Sequence, residues 1–275
     1  MTTSSAVPPT PEQVTDYYGA LGPLLRMAWG DNFHFGYWDG PSDTSSVEEA
    51  TDRFTDLLTE RLRVGPGDSV LDVGCGVGRP ALRVASTTGA GVTGITISRE
   101  QVEQASELAQ AADMADRVRF RYADGMDMPF EADSFDAVLA FESIVHMDRP
   151  TALREMTRVL KPGGRLVLTD TFPVGGDRPG DAAGDVASMG RIEDYPALVA
   201  DAGLRLDEVT DVTEHTNFTF TRMLDGVFRC RREFEREHGM TIEQVFASMK
   251  PAHPDVPSVG GTPGVGCLVL VAHKP

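Results

Sequence analysis

Apolar positions along the chain change period several times, and each change marks an element. Over Pro11–Trp29, Val14, Tyr17, Tyr18, Leu21, Leu24, Leu25 and Ala28 recur at helical spacing. Gly22-Pro23 interrupts that run and predicts two short helices or a kink. Ser46–Arg63 reads as a further helix, with Ser46 and Glu49 spaced as a capping box and Phe54, Leu58 and Leu62 on its apolar face. Beyond the Gly65-Pro66-Gly67-Asp68 turn, short apolar runs follow one another with helical stretches between most of them. Strands are predicted ending at Val70–Val73 and over Gly91–Ile97, Val118–Asp124, Ser134–Ala140, Arg165–Thr171 and Leu204–Thr213. Helices are predicted over Pro80–Ser86, Arg99–Ala112 (capped by Ser98), Arg149–Leu160 and Ile192–Ala202. Phe218–His238 and Thr241–Lys250 then read as inserted helices, with Met223, Leu224, Val227, Phe228 and Phe234 on one face. Gly266–Ala272 is expected to close the sheet as an edge hairpin strand.

Punctuation divides the chain as well. Residues 1–11 hold Thr, Ser and Pro and read as a loose tail; residues 12–63 form an N-terminal helical cap; 64–215 form the core. Residues 216–263 are a helical insertion over the substrate, and 264–275 return to the core. Pro173–Gly190 is rich in Gly, Asp and Pro and reads as a mobile loop and candidate gate; Pro251–Pro263 is an irregular connector. Lys161-Pro162-Gly163-Gly164 ends a helix and turns sharply into a strand.

Composition narrows the partners. The chain has 275 residues, of which 41% are hydrophobic, enough for one domain with an appended cap or for two small ones. Its net charge of −17 repels a nucleic-acid backbone and an anionic membrane surface. Three cysteines, Cys75, Cys230 and Cys267, make neither a disulfide framework nor a zinc site. No apolar run reaches the roughly 18 residues of a membrane span, and the first residues lack a basic, apolar targeting pattern. A cytoplasmic enzyme acting on a small molecule is expected, with homo-oligomerisation left open.

The chemistry centres on Asp72-Val73-Gly74-Cys75-Gly76-Val77-Gly78, between a strand and a helix. Glycines there remove the Cβ atoms that would keep a ligand off the backbone, and the helix start supplies unpaired N–H groups. The spacing is not the Gly-x-Gly-x-x-Gly of dinucleotide folds, and no Gly-Lys-Ser/Thr follows to make a P-loop. The stretch Val70–Pro80 resembles the first motif of the class I S-adenosylmethionine (SAM) dependent methyltransferases. The resemblance implies a Rossmann-like, seven-stranded, mostly parallel α/β sheet with helices on both faces. It also implies that Asp72 faces the methionyl amino end of SAM while Gly74, Cys75, Gly76 and Gly78 pass beneath the cofactor.

Further motifs extend the likeness. Asp31–Trp38 is similar to the Asn-Leu-His-Phe-Gly-Tyr-Trp segment of bacterial methyltransferases that modify natural products, where it lies near the methionine end. Tyr37 and Trp38 are therefore cofactor contacts on this reading; an aromatic loop packed under the N-terminal helices is the alternative. The family's usual ribose-binding acid is replaced by Thr96, and the resemblance to cyclopropane-fatty-acid synthases moves that role to Gln101, with Glu100 as the substitute. Asp124-Gly125-Met126 matches the adenine site, and Leu-Lys-Pro-Gly-Gly at 160–164 is a family hallmark.

Glu142, Ser143 and His146 lie beyond the carboxyl end of the fourth strand, where open α/β sheets bind ligands. Glu142 is read as a cofactor contact and His146 as the general base. Asp170, at the end of the next strand, is read as orienting His146 or bonding the acceptor. In sugar O-methyltransferases of the natural-product subgroup the segment reads Glu-Ser-Leu-His-His-Met; here Val145 stands at the first histidine, and His34 is the reserve base. Tyr17, Tyr18, His34, Phe172, Met223 and Phe228 are the expected acceptor contacts. No carboxylate cluster suggests a metal. The leading reading is O-methylation of a secondary metabolite. C-methylation of a prenyl or polyketide carbon, and a SAM-binding cyclase that transfers no methyl, are the alternatives.

Overall fold

The computed structural model describes residues 9–174, 189–248 and 264–275. Two helices, α1 (Pro11–Trp29) and α2 (Val47–Leu62), precede the sheet. Then come β1 (Ser69–Val73), α3 (Arg79–Thr88), β2 (Gly91–Thr96), α4 (Arg99–Ala111) and β3 (Val118–Tyr122). After β4 (Phe135–Ala140) follow α5 (Arg149–Val159), β5 (Leu160–Pro173), α6 (Tyr195–Asp201) and β6 (Arg205–Asp211). The short α7 (Thr213–Thr216), α8 (Phe218–His238), α9 (Ile242–Ser248) and β7 (Val265–His273) complete the described chain.

The seven strands form one sheet in the order β3-β2-β1-β4-β5-β7-β6. The first five pair in parallel, and β7 runs antiparallel to both β5 and β6. This is the Rossmann-like sheet expected from the glycine motif. Because successive strand residues point to opposite faces, neighbours serve different layers. Leu71 and Val73 pack with α5 and α6 through Leu153, Met156 and Val199, whereas Val70 joins Phe54, Leu58, Val84 and Ala105 from α2, α3 and α4. Chain order reverses between β1 and β4, so their carboxyl ends open a crevice that no crossover covers.

Outside these layers, Leu21, Leu24 and Ala28 of α1 pack on Val227, Cys230 and Phe234 of α8 and on Ile242 and Val245 of α9. The fit is close: a Cβ on Gly226 would lie 2.1 Å from the Ala28 carbonyl oxygen. No helix of the described residues is long and apolar enough to cross a membrane.

Four local expectations change. α1 runs unbroken through Pro23. The proline removes one backbone donor, but Leu21 and Leu24 on either side are buried against α8 and α9 and hold the helix together. The Lys161–Gly164 turn is taken up inside β5, with Leu160 paired to Phe135 before a register shift. Gly163 at φ +81° makes the bend. β7 is an inner strand, and β6 holds the edge. The run Cys267-Leu-Val-Leu-Val-Ala272 is buried on both faces, as a continuous apolar strand must be, whereas β6 alternates. At the start, Thr10 caps α1 in a capping box with Gln13, so the helix begins within the expected tail, and Pro9 is buried. Of the candidate gate Pro173–Gly190, residues 175–188 lie outside the described residues, as does the whole Pro251–Pro263 connector.

Candidate active site

One cavity opens at the carboxyl ends of β1, β2 and β4, and the glycine loop forms its floor. The N–H groups of Gly74 and Cys75 both donate to the Ile95 carbonyl at 2.9 Å, tying the loop to β2. The three glycines answer three different constraints. A Cβ on Gly74 would sit 2.3 Å from Cβ of Ser143, whose hydroxyl donates to the Val73 carbonyl. One on Gly78 would strike the Phe120 ring at 2.5 Å. Gly76, at φ +54°, faces open space in the cavity. Gly78 therefore packs the turn against β3 and does not line the cavity, unlike Gly74, Cys75 and Gly76. The Cys75 thiol is pushed up by burial and stays protonated.

Asp72 lines the cavity at 1% exposure, and its Oδ2 has no hydrogen-bond partner. Burial without a partner pushes its carboxyl up to about 7. A buried, unpaired carboxylate oxygen needs a cationic or N–H donor to offset its desolvation. Across the cavity, Thr96 donates to Gln101 Oε1 at 2.6 Å, which leaves the Gln101 amide N–H groups for a ligand. Asp124 is fixed by the Met126 N–H at 2.8 Å, and Asp124, Gly125 and Met126 all border the cavity.

Glu142 sits at φ +52° just after β4, which turns its side chain back over the site. Its Oε1 accepts the Phe35 N–H at 2.8 Å, and its own N–H donates to Thr169 at 2.9 Å. Burial raises the carboxyl to about 8; the Phe35 bond opposes this and the nearby Asp170 charge adds to it. His146 ends a one-turn 3-10 helix, Ile144–His146, and its Nε2 lies 3.1 Å from the Tyr18 hydroxyl. His34 also borders the cavity, stacked on Phe141 with centroids 3.8 Å apart. Its Nδ1–H donates to the Phe35 carbonyl, and burial lowers it to about 4, so it is neutral and too weak a base for the reserve role.

Other expected site residues lie elsewhere. Asp170 is at 0% exposure and receives two hydrogen bonds from Arg149, at 2.6 and 3.0 Å, and one from the Tyr195 hydroxyl. It is not part of the cavity wall and does not reach His146; it is the acid of a buried ion pair. Trp38 is buried among Trp29, Ala50 and Phe218, with its indole N–H on the Ser45 carbonyl. Tyr37 stacks on His215, 4.2 Å between centroids. These two support the loop that carries His34; they do not line the cavity. Phe172 lies under β7 against Gly266, Met223 packs on the Trp29–Trp38 cluster, Phe228 is 67% exposed, and Tyr17 packs edge-on to Tyr18. The sequence reading missed Pro9, Val14 and Thr15, which bring the start of α1 to the cavity rim. The helical period marks Val14 as inward but does not say which surface it meets. Among the described residues no group of His, Cys, Asp and Glu is placed to hold a metal ion.

Comparison with known proteins decides what the crevice serves. A family model described as a methyltransferase domain matches residues 71–168. The chain is 46% identical to the methyltransferase GfsG of Streptomyces halstedii, over 96% of this chain and 94% of that protein. The chain belongs to the SAM-dependent methyltransferases. Like this family, it uses SAM as cofactor, and the residues fit it: Asp72 offers an unpaired acceptor, Gly76 an open backbone, and Gln101 and Asp124 a donor and an acceptor farther along. The methyltransferase is also 38% identical to the 27-O-demethylrifamycin SV methyltransferase of Amycolatopsis mediterranei, over 97% of this chain and 98% of that one. Among solved structures it is similar to the [4+2]-cyclase SpnF, at TM-score 0.80 and 32% identity, with 98% and 99% of the two chains covered.

Two measurements follow from the carboxylates. Asp72 and Glu142 bind protons more tightly in the folded than in the unfolded chain, where such groups titrate near 4. Ligand-free stability therefore falls as pH rises from about 4 through about 8. On the proposed placement of the SAM ammonium group beside Asp72, binding runs the other way, because that pairing favours the ionised carboxyl. Calorimetry at about pH 6, in buffers of different ionisation heat, is expected to show release of close to one proton per SAM bound. A binding heat independent of buffer would remove Asp72 from the cofactor site. For the buried pair, Asp170→Ala removes the carboxylate that Arg149 and Tyr195 share and is expected to cost about 3–5 kcal/mol in urea denaturation. A wild-type denaturation curve with a lowered turnover number would return Asp170 to a catalytic role.

Proposed function

We propose that this methyltransferase transfers a methyl group to a hydroxyl of a bulky, largely apolar natural-product acceptor, with His146 as general base. The observation that carries the reading is the position of His146. It follows Glu142 and Ser143 on one short loop, Ser143 abuts Gly74 of the cofactor floor, and His146 borders the same cavity. A base on that loop stands beside the methionine end defined by Asp72. SAM supplies an electrophilic methyl group on a sulfonium. The protein's part is to hold the acceptor oxygen in line with that carbon and to remove its proton as the bond forms. Phe33, Phe141 and Met147 give the cavity apolar walls suited to a macrolide or polyketide surface. The name of the 27-O-demethylrifamycin SV methyltransferase relative points the same way, and we place the enzyme in the cytoplasm with a small-molecule acceptor.

The cyclase relative supports a second reading, in which the fold binds SAM and catalyses an isomerisation. One experiment separates them. The enzyme is incubated with SAM and a panel of hydroxylated and glycosylated polyketides that includes 27-O-demethylrifamycin SV, and the products are analysed by mass spectrometry and NMR. O-methylation adds one CH2 with a new methoxy signal and an equivalent of S-adenosylhomocysteine. A product of unchanged mass would support the cyclase reading and sink the first.

A further inference from the structure

We propose that Tyr18 relays the proton to the base: its phenol donates to Nε2 of His146, which fixes the imidazole in the tautomer protonated on Nδ1, and as the acceptor hydroxyl gives its proton to the phenol oxygen the phenol passes its own to Nε2, an arrangement tied to the seating of α1. This inference rests on His146 being the base and adds a second residue from a distant part of the chain.

The geometry is specific. The Tyr18 oxygen is 3.1 Å from Nε2, and the two rings meet edge-on at 86° with centroids 5.7 Å apart. The hydroxyl is thus directed at the ring nitrogen and not at the imidazole face. Tyr17 packs perpendicular to the Tyr18 ring at 5.2 Å and limits its swing. On the other side, the His146 backbone N–H is held by the Ser143 carbonyl at 3.1 Å, so the histidine cannot drift from the loop that abuts Gly74. Burial, with Tyr17 and Glu142 nearby, raises the Tyr18 phenol above its ordinary value, so it keeps its proton. A phenol that keeps its proton donates it to the unprotonated ring nitrogen, and its oxygen lone pairs remain to take a proton from the acceptor hydroxyl as the first proton moves on to Nε2.

Placement on α1 adds consequence. α1 packs chiefly on α8 and α9, and among its polar ties to the sheet domain are Thr15 to the Ile97 carbonyl at 3.4 Å and Arg26 to Gln104 at 3.0 Å. Tyr18 to His146 is the tie that reaches the proposed reaction centre. When α1 is seated, the base has its tautomer and direction; when it is displaced, the imidazole loses this donor. A tyrosine acting this way is more than the acceptor contact expected from the sequence, since it joins the acceptor hydroxyl to the base.

The test reads the histidine directly and needs no acceptor. Protein labelled with nitrogen-15 histidine is studied by NMR with S-adenosylhomocysteine present, for wild type, Tyr18→Phe and His146→Ala. The His146→Ala spectrum assigns the resonance. The wild type is expected to show a neutral imidazole with its proton on Nδ1, and Tyr18→Phe, which keeps the ring, to show a mixture of tautomers. Identical His146 resonances in wild type and Tyr18→Phe would overturn the proposal. Turnover with 27-O-demethylrifamycin SV, or with the panel member that is methylated, supplies the second readout. Tyr18→Phe is expected to lower kcat about 10- to 100-fold, a part of what a general base contributes, with little change in KM, and to have no further effect in a His146→Ala background. Losses that multiply in the double variant would assign Tyr18 an independent role. If His146→Ala alone turns over like wild type, it is the base assignment that fails.

Discussion

Gly76→Arg is expected to abolish measurable binding of SAM and of S-adenosylhomocysteine while leaving a folded protein. Position 76 is the point of the loop where backbone faces the cavity with nothing within 4 Å of an added Cβ. Space for the side chain therefore exists, but it is the space the ligand needs. Two smaller effects add to the block. A non-glycine residue at φ +54° carries left-handed strain of about 1–2 kcal/mol. The guanidinium also offers a rival partner to the lone Oδ2 of Asp72. A loss of at least about 100-fold in affinity corresponds to about 2.8 kcal/mol, well above the strain alone. Calorimetry with each ligand, with circular dichroism and a thermal melt on the same samples, makes the measurement. Binding within a few fold of wild type would show that the loop does not cradle the cofactor. Gly74→Ala makes the contrast, because its Cβ collides with Ser143 at 2.3 Å and would displace the loop that carries His146.

The order of elements and the glycine loop that floors the cavity were legible because both rest on local signals. Period-two and period-3.6 runs mark strands and helices, and a glycine loop between them is short enough to read as a unit. Reading failed where a residue's role depends on what crosses it from far along the chain. Asp170 stands at the carboxyl end of an inner strand, where catalytic acids are found, yet Arg149 and Tyr195 reach it from α5 and α6 and turn it into a buried pair. Gly78 shares the motif's spacing with Gly76, but Phe120 from β3 gives it a packing role. Trp38 has the aromatic body and N–H tip of a ligand contact and spends the N–H on the Ser45 carbonyl. The misplacement of β7 is different in kind. Its unbroken apolar run from Cys267 to Ala272 already marks an inner strand, and the position at the end of the chain outweighed that evidence. The Tyr18–His146 contact spans 128 positions and leaves no trace in either local pattern.

His146→Ala is expected to lower the turnover number for methyl transfer about 10²–10⁴-fold and to leave SAM affinity within a few fold of wild type. The separation follows from position. Asp72, Gly76, Gln101 and Asp124, the proposed cofactor contacts, line the cavity along the ends of β1, β2 and β3, and His146 lies beyond them on the loop after β4. Its removal deletes a proton acceptor without touching the cofactor's partners. The size of the loss depends on the acceptor's acidity. An aliphatic sugar or macrolide hydroxyl scarcely ionises on its own near neutral pH and needs the base throughout the reaction. A phenol ionises far more readily and needs it less, so the drop is expected near the lower end of the range. Comparing His146→Ala on an aliphatic and a phenolic acceptor therefore tests the base directly. A loss of the same size on both would mean that His146 orients the acceptor and takes no proton from it. No loss on either would move the search to Glu142, whose carboxyl near 8 and position over the cavity make it the next group able to accept a proton.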